Sequence, residues 1–156
     1  MKIKHIWSVL CQDSTLNQDD NVISLNKIIE ELSINLNPSV QGLVSPLPEK
    51  LNLPVNYEIV SMWFKERKEE KVDAVTEVTL VSPDGEELLK AALKFSMPEN
   101  IRRSRSRLKI QGIIVKKSGD YIFKIKVKEN DNTEFKLVSE IPLEVKMELQ
   151  RPNNNL

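Results

Sequence analysis

The amino-acid sequence predicts an all-β protein, a two-sheet antiparallel sandwich of seven or eight strands with at most one short helix. Apolar and polar residues alternate along most of the chain, which is the two-residue period of a strand with one buried face. Turn signals recur at a spacing of roughly 8–12 residues, as they do in small sandwiches. Residues 1–150 are therefore expected to form a single domain, followed by a frayed tail at 151–156.

The first strand is expected between Met1 and Cys11. Its lysines, short apolar patch and cysteine are superficially similar to a secretory leader. However, the patch is shorter than the ~7 residues of a leader's apolar region, and Leu10 is not the small residue that processing requires. Cys11 is the only cysteine, so no internal disulfide can form, and no apolar stretch approaches the ~20 residues of a membrane helix. We therefore expect a cytoplasmic protein that does not enter a membrane.

The segment from 22 to 34 has an ambiguous pattern. Its apolar residues follow the i, i+3, i+4, i+7 spacing of one helical face: Leu25, Ile28, Ile29 and Leu32. The expected capping pair is missing, because Ser24 is followed three residues later by Lys27 instead of glutamate or glutamine. A strand and a single helical turn both fit this segment.

The segment from 35 to 56 is expected to be a long, extended crossover. Proline blocks both helix interiors and central strands, and four prolines occur here: Pro38, Pro46, Pro48 and Pro54. The next residues, 57–64, are apolar on both faces of a strand. This pattern predicts a central strand, or a strand whose outer face is covered.

The strands that follow are predicted to form hairpins. Residues 72–81 and 88–97 flank the turn Ser82-Pro83-Asp84-Gly85, whose proline fixes φ and whose glycine can take positive φ. A further strand around 108–114 ends before Gly119. The chain therefore continues as a strand-rich sequence with short turns.

The C-terminal part predicts two longer strands with a short one between them. Alternation is clear at 121–127, where lysines separate the apolar residues, and at 141–149, where charged residues do so. A short third strand is expected around Phe135 and Leu137. Pro142 lies near the start of the last strand, which suits a sheet edge.

The composition excludes several classes of function. The 23 cationic and 23 acidic side chains cancel, which argues against binding of polyanions by bulk charge. The four glycines lack the spacing of dinucleotide-binding or phosphate-binding loops. His5 is the only histidine, and an extended strand would place it about 20 Å from Cys11 on the same face. We therefore predict a non-enzymatic protein with no catalytic residue, no cofactor and no metal.

The main anomaly is a run of five cations between Ile101 and Lys109: Arg102, Arg103, Arg105, Arg107 and Lys109. In a strand, the last four project from one face as a row, and Arg102 points the other way. Such a row could receive an acidic protein segment or follow a phosphate backbone. No aromatic side chain lies between the arginines to stack bases, which disfavours nucleic acid. Alternatively, glutamates of a neighbouring strand neutralise the row, and the candidates are Glu86, Glu87, Glu140 and Glu144.

A weaker hypothesis is a calcium-dependent binding module. Asp13, Asp19 and Asp20 occupy one polar loop. If that loop met Glu129 and Asp131 at one end of a sandwich, their oxygens would suit Ca²⁺. The sequence matches no calcium-loop consensus, and these residue types commonly cap and turn loops.

Four stretches carry a family resemblance: Leu10-Cys11-Gln12-Asp13, residues 21–32, Gly119-Asp120-Tyr121-Ile122-Phe123 and Ile141-Pro142-Leu143-Glu144-Val145. Their order resembles an uncharacterised group of small bacterial β-sandwich proteins. The resemblance implies that residues 22–34 form a strand and that the fold is immunoglobulin-like or C2-like. It implies no catalytic residue, because the group has no assigned activity.

These observations together predict a module that binds another protein through a sheet face or edge. Nucleic-acid binding through the basic strand at 102–109 is the alternative, and calcium-dependent binding is the weaker one. Exposed edge strands would also allow a homo-oligomer.

Overall fold

The structure is a computed structural model that describes residues 1–36, 49–130 and 134–149. These residues form nine strands and no helix: β1 (Ile3–Leu16), β2 (Ile23–Ile28), β3 (Glu31–Leu36), β4 (Leu51–Lys65), β5 (Val72–Val81), β6 (Glu87–Met97), β7 (Arg103–Val115), β8 (Gly119–Glu129) and β9 (Lys136–Leu149). One sheet has four strands in the order β2-β1-β4-β7, and the other has five in the order β3-β9-β8-β5-β6. The predicted all-β class is confirmed, and the two sheets are consistent with a β-sandwich.

The strand count exceeds the prediction of seven or eight because residues 22–34 contribute to two different strands. β2 pairs with β1 in the four-stranded sheet, whereas β3 pairs with β9 in the five-stranded sheet. The chain therefore changes sheets at Ile29 and Glu30, and the single helical turn is not present. β3 runs parallel to β9, so the expectation of a purely antiparallel sandwich is wrong for this pair.

The central strand predicted from residues 57–64 is confirmed as part of β4. This strand lies between β1 and β7, and its side chains are buried on both faces, including Ile59 and Val60. A strand with two neighbours in its sheet needs cover on each face to bury such a run. The inner face packs against the five-stranded sheet, and the outer face is covered by the tip of the β1–β2 hairpin.

The bounds of the crossover predicted at 35–56 are wrong, because β3 runs to Leu36 and β4 begins at Leu51. Pro54 lies inside this strand, where the register with β7 shifts between Leu53 and Asn56. A bulge accepts proline because the ladder of hydrogen bonds is already interrupted there. The other three prolines of the predicted crossover, and the tail at 151–156, lie outside the described residues.

The predicted turn at residues 82–85 is confirmed. Gly85 has a φ of 88°, and its N–H donates to the Ser82 carbonyl at 2.9 Å. The predicted short strand around Phe135 and Leu137 is wrong as a separate element, because Leu137 belongs to the continuous strand β9. Pro142 lies in the middle of β9 and not near its start, because this strand begins at Lys136. It does lie at a sheet edge, since β9 gains its second partner, β3, only from Glu144 onwards.

The core lies between the two sheets. Tyr57 of β4 and Phe123 of β8 belong to its main cluster, with ring centroids 5.8 Å apart. A smaller cluster surrounds Trp63 and includes Ile3. The Trp63 Nε1–H donates to Ser106 Oγ at 2.8 Å, which satisfies the one polar atom of this buried side chain.

Candidate functional site

The basic row lies along β7, an edge strand of the four-stranded sheet. Register with β4 places its members opposite outward-facing positions: Arg103 opposite Phe64, Arg105 opposite Met62, Arg107 opposite Val60 and Lys109 opposite Glu58. Residues directly opposite each other in a sheet share a face. The intervening Leu108 belongs to the core, so the row lies on the outer face as the alternation predicted.

Arg102 lies apart from the row because it precedes β7. Its guanidinium lies over the Phe64 ring, with 5.3 Å between its carbon and the ring centroid, and it donates to the Glu66 carbonyl at 3.0 Å. The prediction that Arg102 points away from the other four assumed that it was part of the strand. Its contacts instead fix it at one end of the same face.

The tip of the β1–β2 hairpin lies against the outer face of β4 and β7. The Arg105 guanidinium donates to the Asn21 carbonyl at 2.9 Å and to Asn21 Oδ1 at 3.3 Å. Farther from the tip, Ser14 Oγ accepts from Arg107 at 3.4 Å and donates to Glu58 Oε2 at 2.5 Å. These contacts explain why the outer face of β4 is buried.

A groove of about 470 Å³ remains between this hairpin and the basic row. Its lining combines apolar side chains from both sides with three arginines: Leu16, Asn21, Ile23, Met62, Arg103, Ser104, Arg105 and Arg107. Arg103 and Arg107 are exposed, whereas Arg105 is half-buried. The Arg105 Nε is buried and has no hydrogen-bond partner among the described residues. The groove is therefore a concave, cationic site with a partly apolar lining.

The glutamates proposed to neutralise the row serve other lysines or lie elsewhere. Glu86 pairs with Lys50 and with Lys116, and Glu144 lies 3.9 Å from Lys146. Within the described ranges, the row's single ion pair joins Lys109 to Glu58 at 4.0 Å. The contacts of Arg105 and Arg107 are with neutral groups. Among the described residues, none of the three arginines forms an ion pair with a carboxylate, and Arg107 reaches Glu58 only through the shared Ser14 hydroxyl.

The predicted calcium ligands do not converge. Asp20 Oδ1 accepts from the Val22 N–H at 3.0 Å within the hairpin tip, and Asp13 Oδ1 accepts from Asn26 at 2.7 Å. Glu129 lies at the opposite end of β1, where it accepts from the Ile3 N–H at 2.9 Å. In the described part of the chain, no group of three or more histidine, cysteine or acidic side chains could hold a metal ion. Asp131 lies outside the described residues.

His5 and Cys11 do not share a face, contrary to the prediction. The register of β1 with β4 shifts between His5 and Trp7, so His5 pairs with Trp63 on the core side and Cys11 with Glu58 on the outer side. Cys11 is a buried free thiol whose pKa is raised, mainly by burial and further by nearby carboxylates. This thiol is therefore protonated at neutral pH and is not an activated nucleophile.

Sequence reasoning missed a short polar chain beside His5. His5 Nε2 and Ser8 Oγ are hydrogen-bonded at 2.7 Å, and Ser8 Oγ is hydrogen-bonded to Ser61 Oγ at the same distance. Burial lowers the pKa of His5, which favours the neutral imidazole. The bulge that brings these groups together leaves no mark in the alternation of the sequence.

Comparison with known proteins supports the fold alone. No family model matches the chain, and no curated protein matches it. Among solved structures, the chain is similar to one described as the crystal structure of the C-terminal domain of wzt, with a TM-score of 0.52 and 12% identity over 93% of this chain and 74% of that one. At this identity the likeness concerns the β-sandwich architecture. Within the described residues, no helix is long and apolar enough to cross a membrane.

Proposed function

We propose that this protein is a non-enzymatic β-sandwich module that binds an acidic segment of a partner protein in the groove between the β1–β2 hairpin and β7. The observation that carries this proposal is the set of three arginines, Arg103, Arg105 and Arg107, which line a partly apolar groove and have no carboxylate partner among the described residues. Guanidinium groups bind carboxylates in a two-point geometry that adds both energy and specificity.

The spacing of the row suits an extended peptide. Alternate residues of β7 are about 6.6–7 Å apart, and alternate side chains of an extended partner have the same spacing. β7 is also an edge strand whose pairing in the described structure is with β4 alone. An extended partner segment that lies in the groove could place its acidic side chains against the arginines and the alternating apolar side chains against the hairpin. Apolar side chains of the partner would contact Leu16, Ile23 and Met62.

Nucleic-acid binding through residues 102–109 is the second candidate. The charge of the row supports it, but the lining of the groove supports a protein partner better. Among the described residues, no aromatic side chain lines the groove, and the ring of Phe64 beside it is already covered by Arg102, which leaves bases little stacking surface. An aliphatic lining instead suits leucine- or valine-containing peptides.

The proposal also covers the fold relationship, the cellular location and the oligomeric state of the protein. We propose an immunoglobulin-like or C2-like relationship for the sandwich, with the parallel pair β3–β9 as an addition to it. A cytoplasmic location is consistent with a buried, unpaired Cys11. Edge strands also leave room for a homo-oligomer.

Fluorescence anisotropy with labelled peptides tests the proposal. The probe is an eleven-residue peptide that alternates glutamate and leucine, and its counterpart alternates lysine and leucine. We expect the acidic peptide alone to bind, and the variant R103A/R107A to bind at least about tenfold more weakly, because two charge-assisted contacts are lost. The matched control is R67A, which removes an exposed arginine from the β4–β5 loop.

A second labelled probe, a 20-nucleotide oligo-dT, separates the two candidate functions. If R103A/R107A and the wild-type protein bind the acidic peptide with equal affinity, the groove is excluded as the peptide-binding site. Binding of oligo-dT that R103A/R107A abolishes, with no binding of the acidic peptide, would favour the nucleic-acid alternative.

A further inference from the structure

The outer face of the five-stranded sheet carries a regular array of lysines. Lys124, Lys126 and Lys128 alternate along β8, and Lys90 and Lys94 lie on β6, with β5 between these two strands. This face is on the opposite side of the protein from the basic groove.

Register places four of these lysines at the corners of a rectangle. Thr79 of β5 pairs with both Lys124 and Lys90, and Val75 pairs with both Lys128 and Lys94. Two strand spacings separate the rows by about 9.6 Å, and four residues along a strand span about 13 Å. The array is therefore two roughly parallel rows of ammonium groups.

The strand between the rows forms the floor of a shallow trough. Thr79 is 1% exposed and Glu77 is 7% exposed, because the long lysine side chains rise on either side of them. The Glu77 carboxylate lies between the rows, 3.5 Å from Lys90 Nζ and 4.0 Å from Lys126 Nζ. Five lysines thus surround one buried carboxylate. By register, two further acidic residues lie on this face: Glu140, opposite Lys124 on β9, and Asp73 on β5, which pairs with Lys71 at 3.1 Å.

We propose that this lysine trough is a second binding surface, which takes the phosphate backbone of an extended single-stranded nucleic acid. The lysines along β8 are about 6.6–7 Å apart, so one linear polyanion can contact several of them in succession. Lysine acts as a point charge toward phosphates and does not need the two-point geometry of arginine and carboxylate. The floor carries the polar residues Glu77 and Thr79 beside Val75, whereas the basic groove has Leu16, Ile23 and Met62 in its lining.

The trough lacks the features of base recognition. Phe135 is the one aromatic side chain next to it in the described residues, and its ring already contacts Lys128 Nζ at 5.0 Å from the centroid. Binding is therefore expected to depend on the backbone, with little base preference and a strong dependence on salt. About four phosphate contacts predict a slope of log K against log salt of roughly −3.

Anisotropy of labelled 20-nucleotide oligo-dT between 20 and 200 mM NaCl tests the trough. We expect the variant K124Q/K128Q to bind at least about tenfold more weakly at 50 mM NaCl, and its slope to fall in magnitude by about 1.4, since two contacts are lost. The matched control K68Q/K117Q, which changes two exposed lysines in turns, should match wild type. R103A/R107A should also match wild type, because the basic groove lies on the other sheet.

Glu77→Gln provides a test in the opposite direction. Removing the carboxylate frees Lys90 and Lys126 for phosphates, so E77Q is expected to bind oligo-dT several-fold more tightly, and a thermal melt checks that it folds. The proposal is overturned if the wild-type protein does not bind oligo-dT at 50 mM NaCl, or if its affinity for oligo-dT does not fall as the NaCl concentration rises. It is equally overturned if K124Q/K128Q and E77Q both bind like wild type, or if R103A/R107A is the variant that loses binding.

Discussion

Arg105 is expected to hold the tip of the β1–β2 hairpin against the four-stranded sheet. Its guanidinium makes two hydrogen bonds to Asn21, at 2.9 Å and 3.3 Å. Hydrogen bonds from charged groups contribute ~1.5–3 kcal/mol when buried, and exposed ones contribute less. Because this pair is accessible to water, we expect Arg105→Ala to lower the free energy of unfolding by about 1–2 kcal/mol. The melting temperature should fall by roughly 2–8 °C for a chain of this size.

Urea denaturation of a double-mutant cycle measures this contribution. Asn21 has a φ of 58°, which glycine adopts without strain, so Asn21→Gly removes the side-chain acceptor alone. We expect a coupling energy of about 0.5–1 kcal/mol between Arg105 and Asn21. The control Arg103→Ala should change stability by less than about 0.5 kcal/mol, because this exposed side chain makes no hydrogen bond or ion pair with the described residues. Equal stability of the Arg105 and Arg103 variants, or zero coupling, would refute the reasoning.

Three further predictions concern buried or strained positions. Lys65 is fully buried and donates to three backbone carbonyls, so Lys65→Met should cost about 2–4 kcal/mol in urea denaturation, and a cost below 1 kcal/mol would contradict this. Burial holds the pKa of His5 below its unfolded value of 6.5, so the unfolded state binds more protons and stability should fall as pH drops below 6.5. His5→Gln should lose this part of the pH dependence between pH 7.5 and 5.5, and identical profiles would exclude it. Gly119 has a φ of 145°, and a Cβ there would lie 2.8 Å from Cγ of the rigid Pro83 ring, so in urea denaturation Gly119→Ala should destabilise the protein more than Gly85→Ala, whose Cβ meets no atom within 4 Å.

The strands that were predicted correctly are those whose buried and exposed faces follow directly from the pattern of apolar residues. The run from 57 to 64 is apolar on both faces, and this pattern correctly indicated a covered central strand. The alternation of apolar and polar residues does not show which element covers the outer face of β4. The covering hairpin tip is held there by contacts between residues distant in sequence, such as the hydrogen bond from Arg105 to Asn21. The covering hairpin could therefore not be placed from the sequence.

The segment from 22 to 34 shows a second limit. Its strand character was implied by the family resemblance, but one strand and two strands in different sheets have the same residue pattern. The change of sheet at Ile29 and Glu30 is defined by long-range hydrogen bonds, such as the one from the Glu144 N–H to the Glu30 carbonyl at 3.1 Å. The parallel pairing of β3 with β9 follows from this change and has no local signal.

The candidate site was predictable in its spacing but not in its charge balance. Alternation placed the row from Arg103 to Lys109 on one face, as the structure has it. The partners of that row depended on strand order, because β7 lies at the edge of one sheet and β9 inside the other. Acidic side chains on β9 are therefore distant in the fold from the row, and Glu86 is held by Lys50 and Lys116 instead. A net charge of zero in the sequence is therefore compatible with a locally basic surface along β7.

The most direct test of the proposed function is a map of where an acidic peptide binds. A ¹H–¹⁵N NMR titration with the glutamate–leucine peptide reports each backbone amide separately. We expect chemical-shift changes concentrated at residues 103–107 of β7 and at 16–23 of the hairpin, and their loss in R103A/R107A. Changes centred on another surface, or no change at millimolar peptide, would contradict the assignment of the groove as the binding site.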